Sequence, residues 1–360
     1  MKWPSHGSNP QYLFEAMGLP LPKRYIDFSA NINPLGPPES LTKQWNEFIH
    51  KINVYPDPYS TRLKENIAEK ENLLSTQVLI GNGGAEIITL IARMLTGKRV
   101  LIIQPTFSEY EKACKANGCE VRYLQVNHQQ DWMVDLELLK EELRTADAMF
   151  LCNPNNPTGV VYSKSQIIDI LKLCDKNDCQ LILDEAFYDF LVDYKSITSL
   201  IKQYSNLIIL RSMTKMFSIP GLRLGYVMAT ESVVEQITTY QSHWSVNTIA
   251  MLAGEACLED EAFIINTQNY IQRERKRLFS FFEKENFIVS PSQVNFYLLR
   301  DAKTEDSFQL FTFLLQKGII PRHTFNFPGL EGSWLRFAIK STEENDQLME
   351  VLQEWRIHLD

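Results

Sequence analysis

An α/β fold is the architecture this sequence predicts: a mostly parallel seven-stranded sheet flanked by helices, with a smaller α+β domain after it. Three observations carry the prediction. Seven short apolar runs recur between residues 78 and 228, amphipathic patterns separate them, and after about Gln241 the texture changes to long helices mixed with isolated strands. Strand–helix alternation favours parallel pairing, because each crossover helix returns the chain to the same end of the sheet and covers one of its faces. A chain of 360 residues can bury a sizeable core. The expected division is an arm at 1–38, a large domain at 39–241 and a small domain at 242–360, the arm serving both the small domain and the functional site.

The arm is rich in Pro, Gly and Asn (Pro10, Pro20, Pro22, Pro34, Gly36, Pro37, Pro38) and reads as irregular chain laid over something else. Ser60 offers an N-cap to a helix running through Leu63 and Ile67. The candidate strands are then Val78–Ile80, Val100–Ile103, Val121–Leu124, Ala148–Leu151, Leu181–Leu183, Leu207–Leu210 and Leu224–Met228. Among the intervening helices, Ile167, Ile170, Leu171 and Cys174 fall at i, i+3, i+4 and i+7, one apolar face. Beyond Gln241 a charged helix covers Tyr270 to Glu283. Strand-like Asn295–Leu299, a helix at Phe308–Gln316 and strand-like Leu335–Ile339 follow it.

Composition narrows the function classes. No apolar run approaches the roughly 20 residues of a membrane helix, and the first residues form no apolar signal region, so a cytoplasmic address is the default. Six cysteines without a Cys-x-x-Cys pair read as small buried apolar residues. A net charge of −8 offers nothing to nucleic acid or an anionic membrane. Six histidines are scattered without ligand spacing, so no metal site is expected.

The chemistry concentrates in a few segments. Ser212-Met213-Thr214-Lys215 follows a buried strand, and Arg223 comes eight residues after the lysine. A lone lysine at a strand end is ordinarily a solvated charge. Here two hydroxyls and an arginine can hold a phosphate dianion beside the amine, and an aldehyde anchored there would condense with it. Asp184 ends another buried strand, where open parallel sheets bind ligands. Its carboxylate could hold a ring nitrogen protonated; the bland alternative is a helix cap. Gly81-Asn82-Gly83-Gly84-Ala85 opens an apolar helix whose first N–H groups make an anion cradle. The loop Asn153-Pro154-Asn155-Asn156-Pro157-Thr158-Gly159 can aim an asparagine amide, and Phe107 can stack on a planar ring.

Together these segments resemble the fold-type I pyridoxal-phosphate enzymes of the aminotransferase class I/II family, across nearly the whole chain. The resemblance implies pyridoxal 5′-phosphate held as a Schiff base on Lys215, with Asp184 on the pyridinium nitrogen. It further implies Asn156 on the ring oxygen, Phe107 stacked on the ring, and the phosphate held by Gly83, Gly84, Ala85, Ser212, Thr214 and Arg223. Tyr55, in Val54-Tyr55-Pro56-Asp57-Pro58, resembles a tyrosine that reaches into a partner subunit's site, which implies a homodimer with shared sites.

A narrower likeness lies in Asp27-Phe28-Ser29-Ala30-Asn31-Ile32-Asn33-Pro34-Leu35-Gly36, preceded by His6-Gly7. It is similar to the branch that decarboxylates O-phosphothreonine in cobalamin assembly, with histidinol-phosphate aminotransferases as near relatives. That pattern implies a small phosphorylated amino-acid substrate contacted by His6, Gly7, Asn31, Asn156, Arg322 and Arg336. Phe187 stands where many aminotransferases carry a tyrosine bonding the cofactor, which leaves the ring oxygen to Asn156. Ser8 stands where a further glycine would fit the pattern. Amino transfer is the alternative activity, and a cofactor-sensing regulator a remote one, since no basic DNA-binding segment precedes the arm.

Overall fold

The computed structural model describes residues 3–4, 6–304 and 306–359. The N-terminal part holds helix α1 (Pro10–Met17), strand β1 (Ile26–Asp27) and helices α2 (Glu39–Phe48) and α3 (Thr61–Glu71). Next come β2 (Val78–Gly81), α4 (Gly84–Met94), β3 (Arg99–Gln104), α5 (Glu109–Ala116), β4 (Glu120–Gln125) and α6 (Leu136–Leu143). Then follow β5 (Ala148–Cys152), α7 (Lys164–Lys176), β6 (Gln180–Asp184), β7 (Leu207–Ser212), β8 (Gly225–Met228) and α8 (Glu231–Thr238). The C-terminal part contains α9 (Thr248–Leu258), α10 (Glu261–Lys284), β9 (Phe287–Val289), β10 (Phe296–Asp301) and α11 (Phe308–Gln316). It ends with β11 (Ile319–Ile320), β12 (Arg322–His323), β13 (Leu335–Ala338) and α12 (Thr342–Leu359).

The large sheet has seven strands in the order β2-β8-β7-β6-β5-β3-β4. All pairs are parallel except those of β8, which runs antiparallel to both neighbours. Every residue of β5 and β7 is buried, as a strand covered on both faces requires. Alternate residues feed two cores. Met149, Leu151, Leu181, Leu183, Leu207 and Ile209 join the core shared with the C-terminal part. Ala148, Phe150, Ile182, Ile208 and Leu210 pack under α4, α5 and α8. The period-2 alternation of Cβ direction along a strand produces this split.

The second sheet, β12-β13-β10-β9, is antiparallel and lies in the C-terminal part. The arm is stitched to it. β1 pairs with β11, and Phe28 donates to Ile320 O at 2.9 Å and accepts from Ala338 N at 2.8 Å.

Two local expectations are corrected. The arm is not irregular throughout: Pro10 begins α1, where a missing N–H costs nothing, and Gly18 closes it in the left-handed conformation. Ser60 precedes α3 but makes no side-chain cap, having a positive φ of 49°. Asp57 does that work, accepting from Thr61 N at 2.7 Å and Tyr59 N at 3.0 Å.

Candidate active site

The C-terminal ends of β5, β6 and β7 lie side by side, with Cys152 opposite Asp184 and Asp184 opposite Leu210. This is the edge at which open parallel sheets bind ligands. A cavity of about 340 Å³ opens there. Fourteen of the sixteen residues singled out from sequence line it; Gly83 and Tyr55 do not.

The cavity floor is acidic and buried. Asp184 accepts from Tyr110 Oη at 2.5 Å and from Ala186 N at 2.9 Å. Burial nevertheless raises its pKa to about 6, the two hydrogen bonds only partly opposing it. Tyr110 was not evident in the sequence. Its ring stacks on Phe150 and meets Phe107 edge-on, so it fixes both the acid and the aromatic wall. Its place in the first turn of α5, three residues after Phe107, is the one signal that could have found it.

One wall presents the start of α4 and Arg223. Gly83 stands behind that guanidinium: a Cβ added there would lie 2.8 Å from Arg223 Nη2, and its φ of +80° already suits glycine alone. Arg223 itself adopts a left-handed backbone, φ 61°. Such strain in a non-glycine residue is kept where the surroundings demand a direction for the side chain. Ser212, Thr214 and the N–H groups of Gly84 and Ala85 complete this corner.

Opposite, three cations converge. Arg336 donates to Asn156 Oδ1 at 2.5 Å and to Ser29 O at 2.7 Å, both neutral acceptors. Arg322 donates to Asn326 Oδ1 at 2.8 Å and to His323 O at 2.7 Å, with its guanidinium over the Phe327 ring. Lys215 faces both. Burial, then Arg336 and Arg223, lower its amine to about 8. Burial and Arg336 bring Arg322 down to about 9, and burial brings Arg336 to about 10, with Asp27 resisting. Burial leads all three shifts, and the neighbouring cations add to it for Lys215 and Arg322.

At the mouth, His6 Nε2 lies 2.9 Å from Glu109 Oε1, which Lys112 also holds at 2.8 Å. The His6 contact, together with Lys112, depresses Glu109 to about 2. Phe187, buried, packs edge-on against Phe296 and presents no polar atom. Tyr55 stands away from the cavity, 81% exposed and beside Trp244.

These residues fit pyridoxal 5′-phosphate. A glycine-backed arginine and a helix start suit its phosphate, a buried carboxylate with a raised pKa suits its ring nitrogen, and a lysine with a lowered pKa suits its aldehyde. Asn31 Oδ1 and Arg336 Nε are buried without a hydrogen-bond partner, polar capacity left for a bound molecule. Among the described residues no cluster suits a metal ion and no helix is long and apolar enough to cross a membrane.

Comparison with known proteins agrees with this geometry. Residues 23–352 match the family model described as aminotransferase class I and II. A threonine-phosphate decarboxylase from Salmonella typhimurium is 33% identical over 97% of this chain and 96% of its own length. The crystal structure of a histidinol-phosphate aminotransferase from Clostridium acetobutylicum superposes with a TM-score of 0.87, at 34% identity over 92% of this chain and 99% of that one. That of an L-threonine-O-3-phosphate decarboxylase from Porphyromonas gingivalis gives 0.81, at 27% identity over 91% and 98%.

Proposed function

The chain belongs to the aminotransferase class I and II family and is an enzyme whose cofactor is pyridoxal 5′-phosphate; we propose that it decarboxylates O-phospho-L-threonine or a close analogue such as phosphoserine. The product would be an aminopropanol phosphate, as in cobalamin assembly. The observation that carries the reading is the pairing of Arg322 and Arg336 in one cavity with Lys215. A substrate bearing both a carboxylate and a phosphate gives each arginine an anion. Histidinol phosphate carries only one.

Bound, the cofactor supplies an aldehyde for the substrate amine and an electron-poor ring that accepts the pair from a breaking Cα bond. The chain's own residues do the rest. Gly84, Ala85, Ser212, Thr214 and Arg223, with Gly83 behind, would hold the cofactor phosphate. Asp184 would hold the ring nitrogen's proton, Asn156 would donate to the ring oxygen, and Phe107 would cover one ring face. Arg322 and Arg336, with His6, Gly7 and Asn31, would bind the substrate's two anions and so fix which Cα bond is presented for cleavage. With the carboxylate bond so presented, the Cα–CO₂ bond would break, CO₂ would leave, and the Lys215 ammonium would donate a proton to Cα. An amine titrating near 8 carries that proton and gives it up within the working range. Ile88, Leu210, Phe187 and Phe327 line the cavity with apolar surface that keeps water from competing.

Amino transfer is the second reading, favoured by the higher structural likeness to the Clostridium aminotransferase. Holoenzyme incubated with phosphothreonine separates the two. The expected result is CO₂ release without added keto acid, lost together with the cofactor's visible absorbance in Lys215→Ala. Consumption of histidinol phosphate only in the presence of 2-oxoglutarate, with no CO₂ from phosphothreonine, would replace this reading with the second.

A further inference from the structure

Lys215 lies in an irregular stretch between β7 and β8, and the bonds internal to that stretch are long. Met213 N reaches Leu224 O at 3.2 Å, Ile219 N reaches Thr214 O at 3.2 Å and Ser218 N reaches Lys215 O at 3.4 Å. Ser218, like Arg223, has a positive φ. Such a turn does not define a side-chain direction by itself.

An outside clasp is present. Asn33, 2% exposed, donates its N–H to Lys215 O at 3.2 Å and its Nδ2 to Met216 O at 2.7 Å. The same Nδ2 donates to Thr267 Oγ1 of α10 at 2.9 Å, and Oδ1 accepts from Leu35 N at 3.0 Å. One buried residue thus grips two successive carbonyls of the lysine turn, Lys215 O through its backbone N–H and Met216 O through its side-chain amide, and that side chain is also bolted to α10 and to its own turn. Asn33 comes four residues after Ser29, whose carbonyl takes Arg336, and two after Asn31, which faces the cavity. It does not line the cavity itself.

We propose that Asn33 is a positioning residue for Lys215, setting where the lysine amine stands relative to Asp184 and the substrate-binding arginines. The proposal rests on Lys215 being the cofactor lysine. Alanine at 33 would leave the Met216 carbonyl buried without a donor, and the turn would relax around that loss. Displacements of about 1 Å at a reacting group cost up to ~10²-fold in rate. Because Asn33 touches no part of the cavity, the loss falls on kcat and spares KM.

The test uses holoenzyme carrying Asn33→Ala, with Asn33→Ser (a shorter donor in the same space) read in its place if the alanine variant does not accumulate folded. Thr267→Val serves as the stability control, since it removes the outer bolt and leaves the bonds to the lysine turn. The expected result is a kcat lowered about tenfold or more at nearly constant KM, together with a shifted midpoint in the pH titration of the cofactor's visible absorbance. Thr267→Val should lower the melting temperature while holding that midpoint at the wild-type value. Asn33 variants that melt earlier but keep wild-type kcat and midpoint would overturn the proposal. Lys215→Ala that retains the absorbance and its titration would instead overturn the assignment of Lys215.

Discussion

At the scale of single residues, Asp184 shows function opposing stability. Burial raises its pKa from 3.8 to about 6, so the folded protein prefers the neutral acid. The sign follows: the contribution to stability is fully present below about pH 4 and is lost as the pH rises through about 6. At pH 7.5 an ionised Asp184 therefore costs the cofactor-free protein roughly 2–3 kcal/mol. Asp184→Asn should make cofactor-free protein more stable by that order at pH 7.5, the gain shrinking toward pH 5, as urea melts at the two pH values would show. The same variant should bind cofactor more weakly, because the ring nitrogen loses its anion. Stability unchanged at both pH values would mean that Tyr110 and Ala186 already satisfy the carboxylate. Asp184, Lys215, Asn156 and Arg223 were legible in the sequence because each sits in a short contiguous motif at a strand end. Tyr110, Asn33 and Glu109 were not, because what marks them is contact across long separations: Tyr110 meets Asp184 74 positions away, and Asn33 meets Met216 183 positions away.

At the scale of elements, the buried parallel strands were the easiest to read. Leu207–Leu210 and Ala148–Leu151 are unbroken apolar runs that no exposed face interrupts. The antiparallel sense of β8 was not readable, since Gly225–Met228 is as apolar as its parallel neighbours. Helix α9 (TIAMLAGEACL) escaped for the opposite reason. It is apolar nearly all round, with six buried residues, so no amphipathic stripe marks it. The loop after β5 shows what a motif glycine does. Gly159 has φ +72°, and a Cβ there would lie 2.0 Å from Ser292 Oγ and 3.0 Å from Phe296 O. Ser290 Oγ donates to Thr158 O beside it, so this loop, which carries Asn156, is pressed onto the segment before β10. Gly159→Ala should destabilise the fold by about 2–4 kcal/mol, through overpacking and the positive φ together. Adding Ser292→Gly should return only part of that, since the backbone strain and the Phe296 carbonyl remain. Full recovery in the double variant would show that the clash alone requires the glycine.

At the scale of the whole molecule, the surface around Tyr55 is the feature that a single chain leaves unexplained. Tyr55 is 81% exposed and Tyr59 73%, with Ile52, Val54 and Trp244 also largely exposed, and the Tyr55 ring stands 5.1 Å from that of Trp244. Exposed apolar groups gathered in this way mark a surface meant to be covered. Tyr55 also matches the tyrosine that the family resemblance sends into a partner subunit's site, and it stands outside its own chain's cavity. Both facts are met if two copies associate and each lends Tyr55 to the other's site, an isologous contact. Sedimentation should then show a dimer, and mixing inactive chains distinguishes sharing from mere association. Tyr55→Ala chains keep Lys215, and Lys215→Ala chains keep Tyr55. In a mixed dimer with shared sites, one site receives both residues intact and the other neither. Random exchange of equal amounts should restore roughly a quarter of wild-type activity from two impaired preparations. If Tyr55 served its own chain, no site in the mixed dimer would hold both residues, and remixing would bring no gain.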